Sequence, residues 1–85
     1  MIVHGNIERD GFELVLRDGR FFIRYDAGAH QAAWREDEVS KEDARRISES
    51  PDGFDSVVRD LQDRLLRSGG DPYVHNWRGP ESGLA

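Results

Sequence analysis

The sequence predicts an α+β fold: an antiparallel β-meander of three to four strands, followed by two α-helices packed on one sheet face. Three observations carry it. Two alternating runs, residues 12–17 and 20–25, flank the pair Asp18-Gly19, the chemistry a two-residue type I′ turn needs for its positive φ angles. Apolar residues then recur at helical spacing as Phe54, Val57, Val58, Leu61 and Leu65. Between these patterns, Ser40-Lys41-Glu42-Asp43 has the form of a capping box with aspartate in the glutamate position.

The central hairpin has a register that can be checked on paper. A two-residue loop pairs Arg17 with Arg20, Leu16 with Phe21, Val15 with Phe22, Leu14 with Ile23, Glu13 with Arg24 and Phe12 with Tyr25. One face then carries only apolar and aromatic residues, and the other gains the opposite-charge pair Glu13 and Arg24. A one-residue slip destroys both features. A second pair, Asp10-Gly11, predicts a second tight reversal behind a first strand running from Ile2 to Glu8. It would set Arg9 opposite Phe12, Glu8 opposite Glu13 and Ile7 opposite Leu14, with Ile7, Gly5 and Val3 on the core face. Residues 26–29 have loop chemistry, and Gln31-Ala32-Ala33-Trp34-Arg35 reads as the last strand.

Helices follow. Ser40 caps a short helix over residues 41–48 that turns Ala44 and Ile47 inward, with Val39 stapling its first turn. Ser50-Pro51-Asp52 opens the next helix, serine as N-cap and proline at the first helical position. Asp55 with Arg59, Asp60 with Arg64 and Asp63 with Arg67 are acid-before-base pairs four apart. Gly69-Gly70 supplies the stop. Residues 1–70 are thus expected to form one domain and residues 71–85 an extended C-terminal tail. The expected core is Ile7, Phe12, Leu14, Leu16, Phe21, Ile23 and Tyr25 from the sheet, with Ile47, Phe54, Val57, Val58, Leu61 and Leu65 from the helices.

Composition limits the function classes. Twelve basic and seventeen acidic residues give a formal charge of −5, spread along the chain. No basic stripe exists for a phosphate backbone to follow, which argues against a direct nucleic-acid partner. No run approaches the roughly 18 apolar residues of a membrane span, and the N-terminus lacks the segments of a signal peptide. With no cysteine in the chain, a reducing cytoplasm fits. His4, His30 and His75 have no metal-ligand spacing, and neither a phosphate loop nor a nucleophile elbow is present. The expectation is a protein without catalytic residues, cofactor or metal.

Two surfaces stand out. Val15 and Phe22 pair on the sheet face away from the helices, and an aromatic ring there calls for a cover: the tail through Tyr73, Val74 and Trp77, a protein partner, or a second copy. Glu36-Asp37-Glu38, with Glu42 and Asp43, is the densest acidic cluster, and Trp34 and Arg35 lie beside it. The candidate protein-binding residues are therefore Val15, Phe22, Trp34, Arg35, Glu36, Asp37, Glu38 and Glu42. In its general form (tiny, acidic, cysteine-free, a sheet plus helices) the chain looks like small bacterial or phage inhibitor and immunity proteins, a likeness of shape and charge with no motif behind it. The expected function is a small, acidic, non-catalytic protein-binding module of the inhibitor or immunity type that masks a basic partner surface. The alternative is a homo-oligomeric domain, such as a homodimer, using Val15 and Phe22 as its interface; a histidine-based metal or enzyme site comes last.

Overall fold

Asp18 and Gly19 both adopt positive φ, 55° and 76°, and close the two-residue reversal their chemistry predicts. The flanking strands pair in the expected register at every position from Arg17–Arg20 to Phe12–Tyr25. The computed structural model describes residues 1–28, 32–50 and 52–80. Its elements are β1 (Ile2–Asn6), α1 (Ile7–Asp10), β2 (Phe12–Arg17), β3 (Arg20–Asp26), β4 (Trp34–Val39), α2 (Lys41–Glu49) and α3 (Gly53–Arg67). The strands form one antiparallel sheet in the order β1-β2-β3-β4. This is the α+β meander followed by two helices that the sequence predicts. No helix among the described residues is long and apolar enough to cross a membrane.

The other Asp-Gly pair behaves differently. β1 ends at Asn6, not Glu8, and residues 7–10 make a single helical turn closed by Gly11 at φ 84°. Asn6 Oδ1 accepts hydrogen bonds from the Glu8 and Arg9 amides at 3.0 and 2.9 Å, and Asp10 Oδ2 accepts one from the Asn6 amide at 2.9 Å. These side chains satisfy donors that a continued strand would have offered to β2, and Gly11 becomes a left-handed helix stop. The expected register is therefore corrected. Asn6 lies opposite Phe12, Gly5 opposite Glu13 and His4 opposite Leu14, with an irregularity between Ile2 and His4. His4, rather than Val3, shares the face of Leu14. Ile7 is still buried, but beside Glu13 and Arg24 on the opposite face. Gly5 holds φ 81°, and a Cβ there would stand 2.8 Å from the Phe12 carbonyl oxygen, an approach only glycine permits.

β4 also departs from expectation. It begins at Trp34 and runs through the acidic triplet to Val39, so Glu36, Asp37 and Glu38 are strand residues and not a helix entrance. Of the expected strand, Gln31 lies outside the described residues, and Ala32 and Ala33 precede β4. Asp26 Oδ1 accepts from the Ala33 amide at 2.8 Å and fixes this entry. Tyr25 opposes Arg35, Ile23 opposes Asp37 and Phe21 opposes Val39. Val39 is accordingly a core residue, not a staple.

Ser40 Oγ accepts from the Asp43 amide at 3.0 Å, the expected cap of α2. Ser50 instead ends α2 as its C-cap, and α3 starts at Gly53 behind Asp52, whose side chain makes no capping bond. Pro51, expected at the first helical position, lies outside the described residues. Asp63 pairs with Arg67 as expected at 3.1 Å, whereas Asp60 is met by Arg46 of α2 at 3.4 Å. The Gly70 amide bonds the Leu65 carbonyl at 2.8 Å and closes α3.

The core lies between the sheet and the two helices. Leu14, Ile23, Tyr25, Val39, Ala44, Ile47, Val57 and Leu61 are buried together, with Phe12, Phe21, Phe54, Val58 and Leu65 packed against them. The Phe12 and Phe54 rings stack at 4.3 Å. Of the expected core, Leu16 is only half-buried and Ile7 sits outside this cluster.

Candidate functional site

Alternation along β4 divides the predicted site residues between two environments. Arg35 and Asp37 face the core side; Trp34, Glu36 and Glu38 face the outer side with Val15 and Phe22, because these positions oppose one another in the register. Glu42 lies apart, exposed on α2.

On the inner side, Arg35 is 6% exposed. Its Nε and Nη2 donate to the two oxygens of Asp37 at 2.9 Å each, and the Tyr25 hydroxyl donates to Asp37 Oδ2 at 2.9 Å. Burial, reinforced by the Asp37 charge, pushes the Tyr25 phenol well above its ordinary range and keeps it a neutral donor. This trio is structural polar packing, sealed at the edge of the core.

The outer side carries a row of alternating charges. Arg17 Nη2 and Arg24 Nε donate to the two oxygens of Glu36 at 2.9 and 2.7 Å. Arg24 Nη1 reaches Glu13 Oε2 at 3.5 Å, and Arg20 Nε donates to Glu38 Oε2 at 2.9 Å. The Arg17 and Arg20 guanidiniums lie 4.3 and 5.6 Å from the centre of the Phe22 ring. Val15 is 3% exposed, so of the predicted pair it is Phe22 that reaches the surface of this face. The acidic triplet is thus neutralised residue by residue: Asp37 by Arg35, which sequence reasoning placed in the site, and Glu36 and Glu38 by Arg17, Arg24 and Arg20, which it left out. Their signal was available: Arg20 and Arg24 share the face of Phe22 on β3.

Burial opposes the charge of Glu36, but hydrogen bonds from Arg17 and Arg24 outweigh it and hold the carboxyl below the ordinary glutamate value. A depressed folded-state value stabilises the fold above the ordinary carboxylate range, and that contribution disappears as pH falls through the lowered value. Urea midpoints should therefore hold steady from neutral pH to the ordinary carboxylate range and fall below it. Glu36→Gln should remove part of that acid-side fall; identical acid profiles for the two proteins would contradict the assignment.

The tail is bonded along the edge of β4. The Trp34 amide donates to His75 Nδ1 at 3.0 Å, and the Asn76 amide donates to the Trp34 carbonyl at 3.1 Å. The Asn76 carboxamide accepts from the Glu36 amide at 2.7 Å and donates to its carbonyl at 3.1 Å, copying a strand partner. Arg35 Nη1 donates to the Val74 carbonyl at 2.7 Å. The tail thereby closes an edge that would otherwise offer open backbone groups. Tyr73 and Val74 stay exposed; Trp77 reaches the outer face, edge-on to Trp34 at 6.2 Å and under the Arg24 guanidinium at 4.9 Å.

The histidines do not come together. His4 is on β1 and His75 bonds β4 at the other edge of the sheet, while His30 lies outside the described residues. Among the described residues, no group of three histidine, cysteine, aspartate or glutamate side chains could hold a metal ion. No protein-family model, curated protein or solved structure matches the chain.

Proposed function

We propose that this chain is a small, non-catalytic protein-binding module whose contact surface is the outer sheet face around Phe22. The observation that carries the reading is the pair of guanidiniums over the Phe22 ring, each fixed by a carboxylate of β4. Aromatic and arginine side chains dominate the energetics of protein interfaces. Groups ordered before association lose little further freedom on binding. The formal charge of −5, with Glu38 and Glu42 exposed, supports a partner with a basic surface, steered in by charge. The finer form of the proposal is an inhibitor- or immunity-type protein that masks such a surface, and a chain without cysteine suits the cytoplasm.

The test is affinity for a captured partner. Phe22→Ala should weaken it about 10- to 100-fold, as loss of a central aromatic does. Glu38→Lys should slow association and flatten its salt dependence. Asp63→Ala, on the exposed side of α3, should change neither. Undiminished binding by Phe22→Ala would remove the outer face from the reading.

One observation favours the second reading, a homo-oligomer. Met1, Ile2 and Val3 are 78%, 52% and 40% exposed along the outer edge of β1, an apolar margin suited to a second copy. Light scattering decides it: a monomer at high concentration ends that reading.

A further inference from the structure

The tail is tied to β4 by contacts of two kinds. Asn76 bonds the Trp34 carbonyl through its backbone amide and both backbone groups of Glu36 through its carboxamide, which also donates to Asp37 Oδ1 at 3.0 Å. Arg35 Nη1 donates to the Val74 carbonyl at 2.7 Å. Amides, carboxylates and guanidiniums keep their charge across neutral pH, so these ties are insensitive to it. The other kind is a single bond, from the Trp34 amide to His75 Nδ1 at 3.0 Å. A backbone N–H can only donate, so Nδ1 must carry its lone pair and the ring must be the neutral tautomer with its proton on Nε2. A second proton would go to Nδ1 and turn the acceptor into a donor facing a donor.

We propose that His75 is an acid-sensitive latch and that the tail is the strap it holds against β4. The closed strap excludes a proton that the released imidazole takes up, so release is favoured as pH falls through the histidine range. The surrounding charges do not offset this. The Arg35 guanidinium bonds Val74, the residue next to His75, and the Arg24 guanidinium lies 4.9 Å from the Trp77 ring, so the cations here repel an imidazolium held in place. The acids of the packed elements are engaged elsewhere: Asp26 with the Gly28 and Ala33 amides, Glu36 with Arg17 and Arg24, Asp37 with Arg35 and Tyr25, and Asp71 with the Tyr73 amide. His75 itself makes no ion pair among the described residues. Release bares the Trp34 and Glu36 backbone groups, an open strand edge on which an extended chain can pair. It also lifts Trp77 off Trp34 and Arg24 at one end of the outer face. The latch is independent of the Phe22 reading, which uses neither His75 nor Asn76.

Amide hydrogen exchange of the full chain, followed by NMR from about pH 8 to about pH 5, tests the latch. Protection of the Trp34 amide, corrected for the intrinsic pH dependence of exchange, should fall about fivefold or more, the equilibrium change for one lost hydrogen bond. The amides that pair β2 with β3 should keep theirs, and the Trp77 indole signal should move over the same range. His75→Ala, which has no acceptor, should show the acid pattern already at the alkaline end. His75→Asn places an amide where the imidazole stood and cannot titrate, so its Trp34 protection should be flat across the range. Constant Trp34 protection in the unaltered chain, a His75→Ala protein indistinguishable from it at the alkaline end, or the same acid step in His75→Asn each overturns the latch.

Discussion

Asp37→Ala should destabilise the fold by about 3–5 kcal/mol, the cost of removing one partner from a buried ion pair. Asp37 accepts hydrogen bonds from Arg35 Nε, Arg35 Nη2, the Tyr25 hydroxyl and Asn76 Nδ2, all at 2.9–3.0 Å. Truncation leaves the Arg35 cation, 6% exposed, and a phenol, 1% exposed, without their main acceptor. It also loosens Asn76, and with it one tie between the tail and β4. Small domains hold only about 5–15 kcal/mol in total, so the variant should be partly unfolded at room temperature. Urea unfolding is the measurement: the midpoint should fall with the slope unchanged. The double variant Arg35→Met with Asp37→Leu should recover much of the loss, because an apolar pair needs no counter-charge. A single variant within about 1 kcal/mol of the parent would mean that water reaches Arg35 and that the trio is not sealed.

The two Asp-Gly pairs show what local sequence does and does not decide. Asp18-Gly19 is flanked on both sides by alternating residues that match across the turn, and its register is as expected. Asp10-Gly11 has the same dipeptide, but Asn6 stands four residues before Asp10, placed to cap a helical turn. The expected hairpin also required Glu8 opposite Glu13, a like-charge pair, and that conflict was the legible sign of a wrong turn type. β4 was harder to see. Glu36, Asp37 and Glu38 are poor strand formers by propensity. They lie in a strand because each acid meets an arginine: Glu36 takes Arg17 and Arg24, Asp37 takes Arg35, and Glu38 takes Arg20. Three of these four arginines lie on other strands, so the reason for the strand appears only after β3 and β4 are aligned. Within the candidate site, Phe22 was legible from the hairpin alone. The tail contacts were not, since His75 and Asn76 bond residues 40 and 41 positions away.

Gly53→Ala should cost about 3 kcal/mol or more, the upper range for forcing atoms into a packed region. A Cβ at Gly53 would lie 2.5 Å from the Arg46 carbonyl carbon, 3.0 Å from the Ile47 nitrogen and closer still to the Arg46 carbonyl oxygen. All three are backbone atoms of α2, so no rotamer change relieves the contact. The first turn of α3 would have to move off α2 and draw Val57 and Leu61 away from Ala44 and Ile47, residues buried in one cluster. The requirement is space and not backbone strain, because Gly53 is absent from the glycines with positive φ. Helix propensity pulls the other way, favouring alanine over glycine by about 1 kcal/mol. Gly69→Ala separates the two effects: Gly69 has φ 87° but nothing within 4 Å of the added carbon, so only the left-handed conformation is penalised, at about 1 kcal/mol. Thermal and urea unfolding of the two variants should place Gly53→Ala well below Gly69→Ala. A Gly53→Ala protein as stable as its parent would mean that α2 and α3 do not approach this closely, and the packing that holds Leu61 over the sheet would have to be redrawn.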